Sequence, residues 1–339
     1  MIDDDLDEFQ SENDQIQEVN DDDLSDLFKL KYDTNRKMRI PRKIDIFNVD
    51  KKILETASCV IVKANSLKYR SGNEELALKC IPIQNFNHYI QDLLFQFNHP
   101  NVLRPYEVIQ FPDEDPRFCC LVMPFIESDL FDYFHWTKNR HLTEIIICQI
   151  MKEALEAVTY IHSQGICHAD LKLENFLIQP KIHRPKPILI DFELSYPFPN
   201  NVTIQTKARG TKIYAAPELL NDDFSFKKQA TFDNKIDSWS LGVMLATMII
   251  GDNPFYQGPD KLIKNGILAD DPRIAQMSDK CRDLLSKMVC VDAEQRITVE
   301  KALEHEWFTI YFQNFLDANP DFMNDEDSPE EEVDEDIHY

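Results

Sequence analysis

His168-Ala169-Asp170-Leu171-Lys172-Leu173-Glu174-Asn175 is the stretch on which the fold turns. It sets a carboxylate, a cation two residues on and an amide three further within one tight loop. Sixteen residues beyond Asn175, after the apolar run Ile188-Leu189-Ile190, stands Asp191-Phe192-Glu193. Further downstream come Gly210-Thr211-Lys212-Ile213-Tyr214-Ala215-Ala216-Pro217-Glu218 and then Asp237-Ser238-Trp239-Ser240-Leu241-Gly242. Upstream, Leu76-Ala77-Leu78-Lys79 ends a strand-like run on a lysine. Any one of these pieces is weak; five in fixed order carry the reading.

In order and spacing they resemble the eukaryotic protein kinase family over residues 46–308. The resemblance implies an α+β, bilobal fold, with a small β-rich N-lobe, a short hinge and a larger α-helical C-lobe. It also implies ATP and Mg2+ as cofactors and a protein hydroxyl as acceptor. Phosphoryl transfer asks for positioning and charge neutralisation more than covalent help. In that frame Asp170 accepts the substrate hydroxyl proton and Lys172 meets the transferring phosphate. Asn175 and Asp191 offer oxygens to magnesium, a hard cation, and Lys79 holds the α- and β-phosphates. Met123 falls at the gatekeeper position, Pro124, Phe125 and Ile126 line the adenine edge, and Leu177 floors that pocket. Glu218 and Arg296 match a structural ion pair, and Asp237 the aspartate that orients the His168 loop. Lys172, Glu174-Asn175 and Gly210-Thr211 look like the serine/threonine branch, with the Thr211 hydroxyl bonding to Asp170 or Lys172.

Local patterns agree with two lobes. Cys59-Val60-Ile61-Val62, Leu76 to Ile81 and Phe118 to Met123 read as strands. Asn87 to Asn98 reads as a helix with Ile90, Leu93, Leu94 and Phe97 on one face. After Pro124 helices dominate. Ser128 is the expected cap of a helix to Trp136, and Thr143 that of a long helix ending near Gly165.

Composition bounds the rest. The 339-residue chain carries a formal charge of -24, but its two ends, 1–28 and 317–339, hold 23 of the 60 acidic residues and no Lys or Arg. The body is close to neutral. We therefore expect a disordered acidic tail at 1–28, a basic linker at 29–45, a kinase-like domain at 46–310 and a second disordered acidic tail at 311–339. The eight cysteines show no zinc spacing, which predicts reduced thiols in an intracellular, cytoplasmic protein, the nucleus being open as well. The start carries no basic or apolar leader, and the apolar run Leu241 to Ile250 is too short to span a bilayer. The expected partner is a protein substrate, with no nucleic acid and no membrane. The chain is expected to be a monomer, and a regulatory partner is left open.

Three departures from the family pattern stand out. Only seven glycines occur, and none lies in Leu54 to Ile61, where backbone should approach phosphate without a Cβ. No glutamate stands on the small-lobe helix to pair with Lys79; the register offers Ile90 or Gln91, with Asp92 the only acid nearby. Ala169 stands where the family has arginine, which makes Thr203 and Thr206 weaker regulatory candidates, and Glu193 stands where it has glycine. Glu193 reads as a carboxylate beside the magnesium site, either assisting the ion or repelling ATP. Two readings follow: an active serine/threonine kinase, since Lys79, Asp170, Lys172, Asn175 and Asp191 are all present, or a pseudokinase that binds or scaffolds.

Overall fold

The structure is a computed structural model that describes residues 43–44, 47–56, 59–66, 75–83, 88–110, 118–136, 142–179, 185–198, 203–255 and 271–323. The acidic tail expected at 1–28, the greater part of the basic linker and the acidic end from 324 lie outside the described residues.

The N-terminal part is an antiparallel sheet of six strands in the order β1-β2-β3-β4-β6-β5. Its strands are β1 (Lys43–Ile44), β2 (Phe47–Glu55), β3 (Val60–Asn65), β4 (Leu76–Pro82), β5 (Glu107–Gln110) and β6 (Phe118–Pro124). The period-two alternation of β4 decides where its lysine goes. Leu76, Leu78 and Cys80 pack with Ile44, Phe47, Val60, Val62 and Val122 on one face. Ile81 packs with Cys59, Leu121, Ile61 and Met123 in a second cluster, and Lys79 shares its side of the strand. Helix α1 (His88–Leu94) is shorter than the predicted span. Its Ile90 and Leu94, with Phe97 beyond, belong to the larger core rather than to the sheet.

The sheet also corrects one expectation. Cys80 and Cys120 are direct cross-strand partners of β4 and β6, and they are joined as a disulfide. The other six cysteines are free, as predicted. The register that brings two cysteines face to face, 40 residues apart, is not legible in their spacing.

The C-terminal part is helical: α2 (Leu130–Trp136), α3 (Glu144–Ser163), α4 (Lys235–Ile250), α5 (Pro272–Ala275), α6 (Asp279–Met288), α7 (Val299–Leu303), a π-helical turn at Trp307–Phe312 and α8 (Gln313–Ala318). Short strands decorate it: β7 (Ser128–Asp129), β8 (Ile166–Cys167), β9 (Phe176–Gln179), β10 (Lys186–Leu189), β11 (Tyr196–Pro197), β12 (Ile204–Thr206) and β13 (Ala230–Phe232). Helix α4 is buried on nearly every side, in keeping with its largely apolar run from Leu241 to Ile250. A Cβ at Gly242 would lie 2.8 Å from both Met288 Cβ and Val289 Cγ1, so the helices meet where only glycine fits.

Helix starts follow capping chemistry with one change. Ser128 is in β7, and Asp129 caps α2 instead, its Oδ1 accepting from Asp132 N at 2.8 Å. Thr143 occupies the predicted cap of α3 in extended geometry, but its side chain makes no cap bond. At the other end of the chain, structure persists past the predicted boundary at 311. Phe312 is buried, α8 follows, and Phe315 and Phe322 meet edge to face at 4.9 Å. Among the described residues no helix is long and apolar enough to cross a membrane.

Candidate active site

The His168 loop leaves β8 and is gripped from beneath by α4. Asp237, fully buried in the first turn of that helix, accepts from His168 N and Ala169 N, both at 2.8 Å. It also pairs with His162 Nε2 at 2.8 Å. Burial pushes the Asp237 carboxyl up, but the hydrogen bond and charge of His162 outweigh it and hold the group below its ordinary value. For His162, burial disfavours the cation, yet the bonds to Asp237 and Glu300 carry its pKa from 6.5 up to about 9. The imidazolium therefore stands as a buried counter-charge under the loop. The sequence reading found Asp237 but missed His162; a basic side chain in the last turn of the helix was the available signal.

So anchored, Ala169 takes a left-handed conformation, φ 63°, which costs an L-residue about 1–2 kcal/mol. Gly210 presses against it from the far side: at φ 126°, a Cβ there would lie 2.7 Å from Ala169 O. This contact brings Thr211 over the loop. Thr211 Oγ1 donates to Asp170 Oδ1 at 2.7 Å and accepts from Lys172 Nζ at 3.0 Å, while Lys172 reaches Asp170 Oδ2 at 3.0 Å. Both bonds expected of Thr211 as alternatives are made together. Asn175 Nδ2 donates to Asp170 O at 2.8 Å, which leaves its amide oxygen as the acceptor end. His168 bonds through Nε2 to Ile190 O at 3.0 Å and is a packing residue, as is Phe192, whose ring meets His168 and Phe97 at 5.1 and 5.7 Å.

Asp191 is also left-handed, φ 66°. Its carboxylate accepts from Lys79 Nζ at 2.7 Å, and Glu193 Oε1 forms an ion pair with the same ammonium at 2.7 Å, without hydrogen-bond alignment. Burial alone would lower the lysine's pKa, but the charges of Asp191 and Glu193 reverse the direction and raise it. Burial likewise pushes Asp191 up, and the Lys79 charge and hydrogen bond bring it below the usual carboxylate range. Glu193 is thus a partner of Lys79, 114 positions away in sequence, a role its reading as a magnesium-side carboxylate had not included. Ile90 is fully buried among apolar residues, and the Gln91 side chain lies outside the described residues.

The apolar positions line up along the strands that border these groups. Met123, half-buried, is the register partner of Ala77 and packs with Ile61, Ile81 and Leu121. Pro124 ends β6, and Phe125 N bonds Glu75 O at 2.9 Å while Lys63 sits over the Phe125 ring. Ile126 is half-buried, and Leu177 pairs with Asp129 and Ile188 on β9. Between β2 and β3, Thr56 N donates to Cys59 O at 2.9 Å and Cys59 N donates to Thr56 Oγ1 at 3.1 Å. Glu218 and Arg296 form a bidentate pair at 2.7 and 2.9 Å, with the guanidinium fully buried.

Residues 58–308 match the family model described as "Protein kinase domain". Curated relatives include calcium/calmodulin-dependent protein kinase type 1 of Caenorhabditis briggsae, 31% identical over 64% of this chain and 58% of that protein. Calcium-dependent protein kinase 4 of Plasmodium falciparum is 33% identical over 64% of this chain and 39% of its own length. Serine/threonine-protein kinase cds1 of Schizosaccharomyces pombe is 31% identical over 64% and 46%. The matched part therefore spans between two fifths and three fifths of these relatives.

Proposed function

This chain belongs to the protein kinase family, and on that premise we propose that it transfers the γ-phosphoryl group of Mg-ATP to a serine or threonine hydroxyl of a protein. The observation that carries the reading is the closed triangle of Asp170, Lys172 and Thr211, squared by Asn175. A carboxylate already accepting a hydroxyl proton at 2.7 Å is placed to accept another from a substrate hydroxyl. Lys172, drawn to the same carboxylate, keeps a positive charge beside the path of transfer.

The donors present suit Mg-ATP. Asp191 and the amide oxygen of Asn175 are hard oxygen ligands, and the buried Lys79 is a cation for phosphate oxygens. Among the described residues no group of three or more His, Cys, Asp or Glu forms a metal cage, which fits an ion held partly by nucleotide oxygens. Bound magnesium would neutralise charge on the phosphoryl oxygens. Met123, Pro124, Ile126 and Leu177 supply the apolar wall for the base. In this reading the catalytic unit runs past both expected limits of 46–310, since Ile44 and Phe312 are buried in it.

The pseudokinase reading has its own support in the Thr56-closed turn, which offers side chains where phosphate would meet bare backbone. One set of measurements separates the two. Wild-type protein should gain thermal stability with Mg-ATP and phosphorylate itself or a generic basic protein, and Asp170→Asn and Asp191→Asn should abolish transfer. No shift and no transfer in the wild type would sink the active reading.

A further inference from the structure

We propose that Glu193 is the positioning residue for Lys79, holding the ammonium in place from the turn that also carries Asp191. The proposal deepens the phosphotransfer reading and rests on it. It starts from a charge imbalance. Lys79 is buried to 10% side-chain exposure, and a cation so far from water needs an opposite charge beside it. Two carboxylates meet that need, at 2.7 Å each. Among the described residues, helix α1 contributes none: Asp92 is exposed and Ile90 is apolar and buried.

The two carboxylates are not equivalent. Asp191 is half-exposed and makes an aligned hydrogen bond; it is also the oxygen ligand that the proposed metal would draw away. Glu193 is more deeply placed, at 17% exposure, and its buried Oε1 has no hydrogen-bond partner beyond the ion contact with Lys79. A buried, otherwise unsatisfied carboxylate oxygen beside one ammonium has that ammonium as its reason to be there. Lys79 and Glu193 together are neutral, which leaves the charge of Asp191 for a cation. The platform under Glu193 is firm: Phe192 is locked between His168 and Phe97.

The test uses the full chain and a cycle of four proteins, wild type, Glu193→Gln, Lys79→Gln and the double variant, with Glu193→Asp as a fifth. Mg-ATP and adenosine affinities are measured calorimetrically, with KM for ATP and kcat on a basic protein. Glu193→Gln should weaken Mg-ATP binding about tenfold or more and raise KM similarly, with adenosine affinity within about twofold, because adenosine never meets Lys79. On the Lys79→Gln background the same change should matter less than about twofold. Glu193→Asp should recover part of the loss. Unchanged or tighter Mg-ATP binding in Glu193→Gln, the result of a carboxylate that repels phosphate, overturns the proposal. So does a loss that persists in full without the lysine, or an equal loss for adenosine, the mark of a structural effect. If the wild type binds no Mg-ATP, the phosphotransfer reading fails, and the Lys79–Glu193 link is read from thermal unfolding of the same four nucleotide-free proteins. Non-additive shifts then support it, and additive shifts overturn it.

Discussion

Replacing Asp237 by asparagine removes one charge from beneath the His168 loop while keeping the shape. The aspartate accepts three hydrogen bonds, from His168 N, Ala169 N and His162 Nε2. An asparagine must turn its NH2 toward at least one of those donors, orphaning it, and leaves the buried imidazolium without its partner. Breaking a buried pair from one side costs about 3–5 kcal/mol. The proton affinity of His162 gives a second route to the size. A rise from 6.5 to about 9 amounts to about 3 kcal/mol, at about 1.4 kcal/mol for each tenfold change. Glu300 shares in that rise, so the rise bounds the Asp237 part from above at the lower end of the first figure, against a total of about 5–15 kcal/mol for a domain. The sign with pH follows from linkage. The folded-state affinity of His162 is raised, so its contribution is complete below pH 6.5 and is lost as pH climbs through about 9. Urea unfolding of nucleotide-free wild type and Asp237→Asn at pH 6, 7 and 10 should therefore show a gap of about 3 kcal/mol or more at neutral pH that narrows at pH 10. A gap under about 1 kcal/mol at pH 7, or one of equal size at pH 6 and 10, would refute the reasoning.

Other perturbations test the remaining joints. Thr211→Val removes a hydroxyl bonded to both Asp170 and Lys172 and should lower kcat about 10- to 100-fold with under about 1 kcal/mol lost in stability, while Thr211→Ser stays close to wild type. Gly210→Ala sets a Cβ 2.7 Å from Ala169 O and should cost about 2 kcal/mol or more in thermal unfolding; an unchanged melting temperature would argue against that contact. Arg296→Leu strands Glu218 and the carbonyls of Cys290 and Lys235 and should destabilise by about 3–5 kcal/mol in urea titrations, more than Glu218→Gln, which keeps an oxygen acceptor for the guanidinium.

Much of this architecture could be read before any coordinates. The motifs from Lys79 through Asp170, Asn175 and Asp191 to Asp237 implied the two-lobed layout through their family resemblance, and the change from strand-like to helical patterns after Pro124 agreed with it. Features set by tertiary register stayed hidden. Glu193 was visible as an oddity, but only the fold brings its carboxylate to Lys79. The pairing of Cys80 with Cys120 depends on how β4 slides along β6, which no spacing reports. The helix from Gln313 was lost because the acid-rich end at 317–339 was extended back to 311, over the apolar Phe312 and Leu316, which with Phe322 belong to the core. Ser128 and Asp129 are both good caps, and the choice between them rests on a strand of two residues, β7.

The segment between Asp191 and Glu218 carries a length constraint. It is laddered twice, β11 to β8 and β12 to β13. Between Pro197 and Ile204 lie six residues, a tether of at most roughly 25 Å when fully drawn out. Thr203 is exposed and stands next to Ile204, the first residue of β12, so a group added there sits beside a strand already paired to β13 rather than on free chain. Only residues 207–210 separate the end of β12 from Thr211, so strand pairing sets how far the Thr211 hydroxyl can travel from Asp170.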